Sequence, residues 1–327
     1  MNWLKARLYT TLLSFLFLAT AHAATRPIHV LLLDGESAGP YHNWQVTTPI
    51  LANELEETGL FEVTVATAPH ADGNFSDFKP QFSRYQVVVS NLDSADWPSN
   101  LRTQFEQYIR DGGGLVVVHA ADNAFPNWPA YNQMIGIGGW RGRTETAGPR
   151  WYMKDGKVIS DSTPGSAGAH GARLPFQIVT RDSEHPIMRG LPALWMHAPD
   201  ELYGTLRGPG KNMTILATAH SDPQNNGTGN DEPILMVIQF GKGRVFHTTL
   251  GHDAVALSGL GFITTFQRGT EWAATGKVTQ KVPSTFPTAN IVSYRADIAA
   301  MNPEFRKKQI TDSTHTVSSS EIHASPK

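Results

Sequence analysis

The 327-residue sequence contains no cysteine. Disulfides, thiolate nucleophiles and cysteine-based zinc sites are therefore excluded outright. Net charge is nearly absent too, with 27 basic side chains against 29 acidic ones. Nucleic acid and anionic membrane surfaces both call for a basic excess, so neither is expected as a partner. No Gly-x-Gly-x-x-Gly follows the first apolar run and no Walker loop occurs, so no nucleotide cofactor is expected. After the first two dozen residues no apolar run is long enough to span a bilayer.

What is present starts with a leader. Lys5 and Arg7 precede an apolar run from Leu8 to Thr20, and Ala21-His22-Ala23 supplies a small-x-small cleavage pattern. Together these predict a signal peptide over residues 1–23 and a periplasmic or secreted mature protein with no membrane span. The whole chain is 40% hydrophobic with 15 Phe and 8 Trp, enough for a folded core and incompatible with a disordered chain.

Ile28 to Leu33, Phe61 to Ala66, Tyr85 to Ser90 and Leu115 to Val118 are short continuous apolar runs. Such runs mark strands buried on both faces. Helical spacing separates them over Thr48–Thr58, ending at Gly59, and over Ser99–Arg110, ending at Gly112-Gly113-Gly114. This alternation predicts an α/β fold: a doubly wound, mostly parallel sheet with helices on both faces. Residues 139–175 break the rhythm and read as an excursion over the sheet's edge or mouth. Strand character returns at Ile215–Thr218, Ile234–Ile238 and Arg244–Leu250, the last two joined by the hairpin signal Gly241-Lys242-Gly243. Gly259–Ala274 reads as a closing helix. Residues 281–327 form a C-terminal extension whose end is expected to be disordered.

Ligands of open parallel sheets bind beyond the carboxyl ends of the strands. Asp34, Glu36 and His42-Asn43-Trp44 follow the first strand, His119-Ala120-Ala121-Asp122-Asn123 the fourth, and Gly251-His252-Asp253 the last. Three histidines thus leave three strands at one edge. A single histidine there is more often a cap or a loop contact; three together point to chemistry. His197 to Tyr203 holds a further His, Asp200 and Glu201, which suit a metal shell, a general base or simply a polar loop. His247 lies within a strand, and His170 is placed to reach over the site as part of a lid. Trp44, Trp128, Trp140, Trp151 and Tyr203, in or near the loops at the mouth, suit the C–H faces of a sugar ring, as they would other apolar ligands.

The ordered segments Asp34-Gly35, His42-Asn43-Trp44, Gly112 to Phe125, His185-Pro186-Ile187, Asp200-Glu201-Leu202-Tyr203 and Gly241 to Asp253 resemble the trehalose-utilisation (ThuA-like) family over roughly residues 27–280. The resemblance implies a single flavodoxin-like domain related to class I glutamine amidotransferases. It also implies a role in carbohydrate catabolism, including routes through 3-keto-glycosides. In those amidotransferases a strand-to-helix elbow carries a cysteine nucleophile; here the elbow falls at His119-Ala120, so amidotransferase chemistry is lost. Asn43 stands where many relatives carry Asp, and Leu174 where relatives often carry His.

The leading expectation is an enzyme acting on a glycoside or keto-sugar. His42, His119, His252 and Glu201 would hold one divalent metal, zinc first, though iron, manganese and nickel suit the same donors. His119, Asp200 and His197 would be catalytic. Asn43, Trp44, Asp122, Asn123, Trp140, Tyr203 and His247 would bind the sugar. One alternative is metal-free, with His119 as general acid/base; another is a non-catalytic carbohydrate-binding or structural domain.

Overall fold

The computed structural model describes residues 26–36, 41–302 and 314–317; the leader and the end of the C-terminal extension lie outside them. Strands β1 (Ile28–Asp34), β2 (Phe61–Thr67), β3 (Val87–Ser90) and β4 (Gly114–Val118) alternate with helices α1 (Trp44–Glu56) and α2 (Ser99–Arg110). Helix α3 (Pro129–Ile135) follows β4. The apolar runs are continuous because successive residues serve two cores. Val30 and Leu32 enter the core that includes α1, while Leu31 and Leu33 enter the one that includes α2 and α3.

The segment read as an irregular excursion contains a hairpin, β5 (Arg150–Lys154) and β6 (Lys157–Asp161). Beyond it come β7 (Leu174–Thr180), β8 (Leu194–Asp200), β9 (Met213–His220), β10 (Asp231–Phe240) and β11 (Gly243–Thr248). The sheet runs β2-β1-β3-β4-β11-β10-β9-β7-β8, with β5 attached to β10. Its first five strands are parallel, and every pairing from β11 to β8 is antiparallel. The fold is thus a single α/β domain whose central sheet mixes a parallel half with an antiparallel extension.

The extension carries part of the site. Four antiparallel steps separate β11 from β8, and an even number restores direction. The carboxyl end of β8, with Asp200 and Glu201, therefore emerges at the same edge as the ends of β1, β4 and β11. A flat sheet would keep β8 roughly 19 Å from β11 at the usual strand spacing. Instead the Asp200 carboxylate accepts a hydrogen bond from Gly251 N, just past β11, at 2.8 Å. The sheet curls around helix α5 (Leu260–Thr275), which packs on β4, β11 and β8. Trp195 of β8 is fully buried and packs directly over Gly261 of α5.

Past α5 the chain returns through β12 (Val292–Arg295) and α6 (Ala296–Ala299), and β12 pairs in parallel with β13 (Thr314–Val317). Residues 281–302 are built into the domain: Val292 and Tyr294 are buried, and Met196 N donates to Thr288 O at 2.9 Å.

Helix propensity alone would make Gly261→Ala stabilising by about 1 kcal/mol. Here a Cβ would enter the Trp195 ring. The substitution is expected to destabilise by about 1–3 kcal/mol, read as a lower urea midpoint at unchanged m-value. A raised midpoint would contradict the packing of β8 on α5.

Candidate metal centre

The site begins at the end of β4. His119 has φ 44°, in the left-handed region, which costs a side-chain-bearing residue about 1–2 kcal/mol. It turns the chain sharply from strand into the short 3-10 turn His119–Asp122. The ring is held by Thr249 O, which lies 2.7 Å from Nδ1. A carbonyl can only accept, so Nδ1 carries the proton there and Nε2 faces the site. Tyr203 Oη lies 2.8 Å from that Nε2. Burial, then the carboxylates of Asp122, Glu201 and Asp200, raise the Tyr203 pKa, so the phenol keeps its proton and donates it to the imidazole.

Three more side chains meet His119. His42 comes from the β1–α1 connection, His252 from the turn after β11, and Glu201 from the end of β8. The His42, His119 and His252 rings meet edge to face, with centroids 4.9–5.4 Å apart and planes at 69–79°. Glu201 Oε2 is 3.1 Å from His252 Nδ1 and 3.7 Å from His119 Nε2. One ligand atom from each of the four residues lies within 4.8 Å of the others, so this His/Glu cluster can hold a metal ion. The electrostatics agree. Burial would raise the Glu201 pKa, but His119 and His252 hold it well below the carboxylate range. Burial would lower that of His119, yet Glu201 and Asp200 raise it. The cluster is a place that stabilises positive charge.

Asp200 is adjacent but does a different job. Its Oδ2 accepts from Gly251 N at 2.8 Å and lies 2.9 Å from His197 Nε2. Its Oδ1 accepts from Glu201 N at 2.8 Å and His252 N at 3.2 Å. His197 is equally buried, with its ring beside Phe176 and Trp195. Desolvation would raise the Asp200 pKa, but His197, His119 and Gly251 N lower it. The carboxylate joins the ends of β8 and β11 and faces no open space at the cluster.

A cavity of about 590 Å³ opens above the cluster. Of the residues expected at the site, His42, Glu201, Asn123, Trp140 and Tyr203 line it, with His119 and His252 buried beside them. His170 also lines it, its Nε2 3.6 Å from Glu201 Oε1. Trp44 and Asn43 stand beside His42 at the start of α1 and are not part of the wall. Asp122 and His247 are wholly buried, 3.4 Å apart, with His247 Nδ1 2.8 Å from Ile135 O. The wall also contains Tyr41, Asp93 and Arg141, which the sequence reading missed. Asp93 follows β3 by three residues, so the strand-end rule applied to β3 as well would have found it. Arg141 lies in an irregular stretch with no local signal. Gly35-Glu36-Ser37-Ala38-Gly39 spells Gly-x-Ser-x-Gly. Ser37 lies outside the described residues, however, and α1 starts only at Trp44, whereas a nucleophile elbow enters its helix directly.

Comparison with known proteins places this architecture. Residues 29–273 match the family model for trehalose utilisation, ThuA. A thua-like protein from Parabacteroides merdae ATCC 43184 has a crystal structure 45% identical in sequence, at TM-score 0.80, covering 84% of this chain and 99% of that one. A second thua-like protein, from Bacteroides uniformis ATCC 8492, shares the fold at 20% identity and TM-score 0.52, covering 80% of this chain and 96% of its own. No curated protein matches. The chain belongs to the trehalose-utilisation (ThuA) family and has the class I glutamine amidotransferase-like fold.

Proposed function

We propose that this protein is an exported, metal-assisted enzyme of carbohydrate metabolism that acts on a glycoside or keto-sugar. The observation that carries the proposal is the convergence of three imidazoles and one carboxylate, from four separate strand ends, beside a cavity of small-molecule size. The trehalose-utilisation family supports a sugar as the ligand. The basic, apolar and small-x-small pattern of residues 1–23 supports export.

The donor set suits a divalent ion. His119 is fixed by a backbone carbonyl, the usual outer-shell brace of a ligating histidine. Glu201 stays ionised and supplies the one anionic ligand. A divalent ion held there would polarise a sugar carbonyl or activate a water molecule. Tyr203 presents a buried, protonated phenol on the cavity wall, bonded to His119 Nε2; a metal bound through that nitrogen would release the O–H to donate to a substrate oxygen. His170 lines the cavity with its Nε2 3.6 Å from Glu201 Oε1. Asp200 and His197, expected as reacting groups, act by position in this reading: the Asp200 carboxylate holds the backbone N–H groups of Glu201 and His252, and His197 Nε2 holds Asp200.

Mass spectrometry of the tag-free mature protein is expected to find near-stoichiometric divalent metal. A folded His42→Ala/His119→Ala/His252→Ala variant should lack it. Chelation should abolish turnover in a screen of glycosides and 3-keto-glycosides, and metal should restore it. No uptake after reconstitution with several divalent ions would reject the metal and leave His119 as a general acid/base. Tight sugar binding without turnover of any substrate would reject the enzyme.

Asp200→Asn keeps the shape but loses the charge that gathers three backbone N–H groups. It is expected to weaken metal affinity about 10–100-fold, measured by competition with a chromogenic chelator. Unchanged affinity would show that the clamp does not position the ligands.

A further inference from the structure

We propose that Asp93 is the general base of this site, with its Oδ2 taking a proton from the bound substrate. This rests on the enzyme reading above and adds the group that moves the proton.

Asp93 stands three residues beyond β3, at the sheet edge where β1 also ends. Its backbone is fixed there, since Asp93 N donates to Glu36 O at 2.8 Å and Asn91 N to Leu33 O at 2.9 Å. The residue is buried and still forms part of the cavity wall. Arg141 reaches it from the segment after α3. Trp140 and Arg141 have φ 49° and 46°, two consecutive side-chain-bearing residues in the left-handed region. Such a backbone persists only where the surroundings over-determine it. Trp140 N is held on Ala167 O at 3.0 Å, and Gly168 packs so close to the indole that any Cβ there would enter the ring. The turn delivers the guanidinium to Asp93, with Nε donating to Oδ1 at 2.5 Å and Nη2 to the main-chain carbonyl at 2.9 Å.

The pairing is lopsided. An arginine that anchors a carboxylate commonly takes both its oxygens on two parallel N–H groups. Here the second N–H goes to the carbonyl instead, and Oδ2 accepts no hydrogen bond among the described residues. A carboxylate oxygen withdrawn from water without a donor is costly; a molecule in the cavity can supply that donor. The surroundings also tune the group as a base. Burial pushes the Asp93 pKa up to about 6, the hydrogen bond and charge of Arg141 pull it down, and the Asp122 and Glu36 carboxylates add to the rise. Tyr131, Arg143 and Tyr203 are the other titratable groups that feel its charge. Such a carboxylate is ionised at neutral pH and still holds a proton well enough to remove one. Tyr203, on the same wall, keeps its proton. An acceptor poised near neutrality and a donor far above it divide the acid and base roles between them. The step balances on the substrate: one proton leaves an O–H or C–H for Oδ2, and the bonding electrons stay behind. The carboxylic acid then returns the proton to the product or to water.

The pH dependence of kcat/KM tests this, measured on the glycosides and 3-keto-glycosides of the turnover screen with metal content followed at each pH. The rate should rise with pH through about 6, because the ionised form of Asp93 is the working one. Asp93→Asn keeps an acceptor for Arg141 Nε. It should lower kcat about a hundred- to ten-thousandfold and remove that limb, with metal content and melting temperature unchanged. In Asp93→Ala, added formate should restore part of the lost rate, as a carboxylate with a purely structural role would not. Arg141→Met should move the limb to higher pH, since the guanidinium holds the Asp93 pKa down. That variant decides should both Asp93 variants unfold. A limb that persists in Asp93→Asn, a limb unmoved in Arg141→Met, or a rate loss that formate leaves untouched would each overturn Asp93 as the base and leave the enzyme reading standing. A wild type that turns over none of the probes would reject the enzyme reading, and the base with it.

Discussion

The site depends on one buried carboxylate. Ionised Asp200 is removed from water, at a cost that only dense hydrogen bonding offsets. Three backbone N–H groups and the His197 ring supply that bonding. Two of those backbone groups belong to Glu201 and His252, members of the His/Glu cluster. Satisfying Asp200 therefore also joins the last strand of the antiparallel extension to the turn after β11. Without this clamp, β8 could still pair with β7, but nothing would fix Glu201 against the three histidines.

His119 is the residue on which the cluster turns. The chain turns sharply from strand into a 3-10 turn, with φ 44° at the residue that turns. An imidazole stands there instead of a thiol, and the chain has no cysteine anywhere. The imidazole is tied to β11 by Thr249 O and capped by Tyr203. The left-handed turn aims one ring nitrogen of His119 at a shared centre.

The parallel half of the fold was legible because both its faces are buried. Val30 to Leu33 and Leu115 to Val118 are apolar without interruption, and Ser99–Arg110 is helical at the residues its spacing indicates. The histidines after β1, β4 and β11 were legible for the same reason, since strand ends are marked in sequence. β8 was not. Its Leu194-Trp195-Met196-His197-Ala198-Pro199-Asp200 mixes polar groups and a proline, and its strand pairing and burial against α5 are tertiary facts. Read locally, His197 and Asp200 look like reactive groups in a polar loop; the folded chain spends them on structure. Arg141 was invisible for another reason: its left-handed conformation is imposed by Ala167, Gly168 and Asp93, all distant in sequence.

The central claim is that His42, His119, His252 and Glu201 together form one metal centre. Anomalous diffraction from crystals of the mature protein grown with the native metal tests it most directly. The account predicts one strong anomalous peak bounded by those four side chains, with His119 bound through Nε2 and its Nδ1 still on Thr249 O. No peak there, or a peak held by other residues, would contradict it.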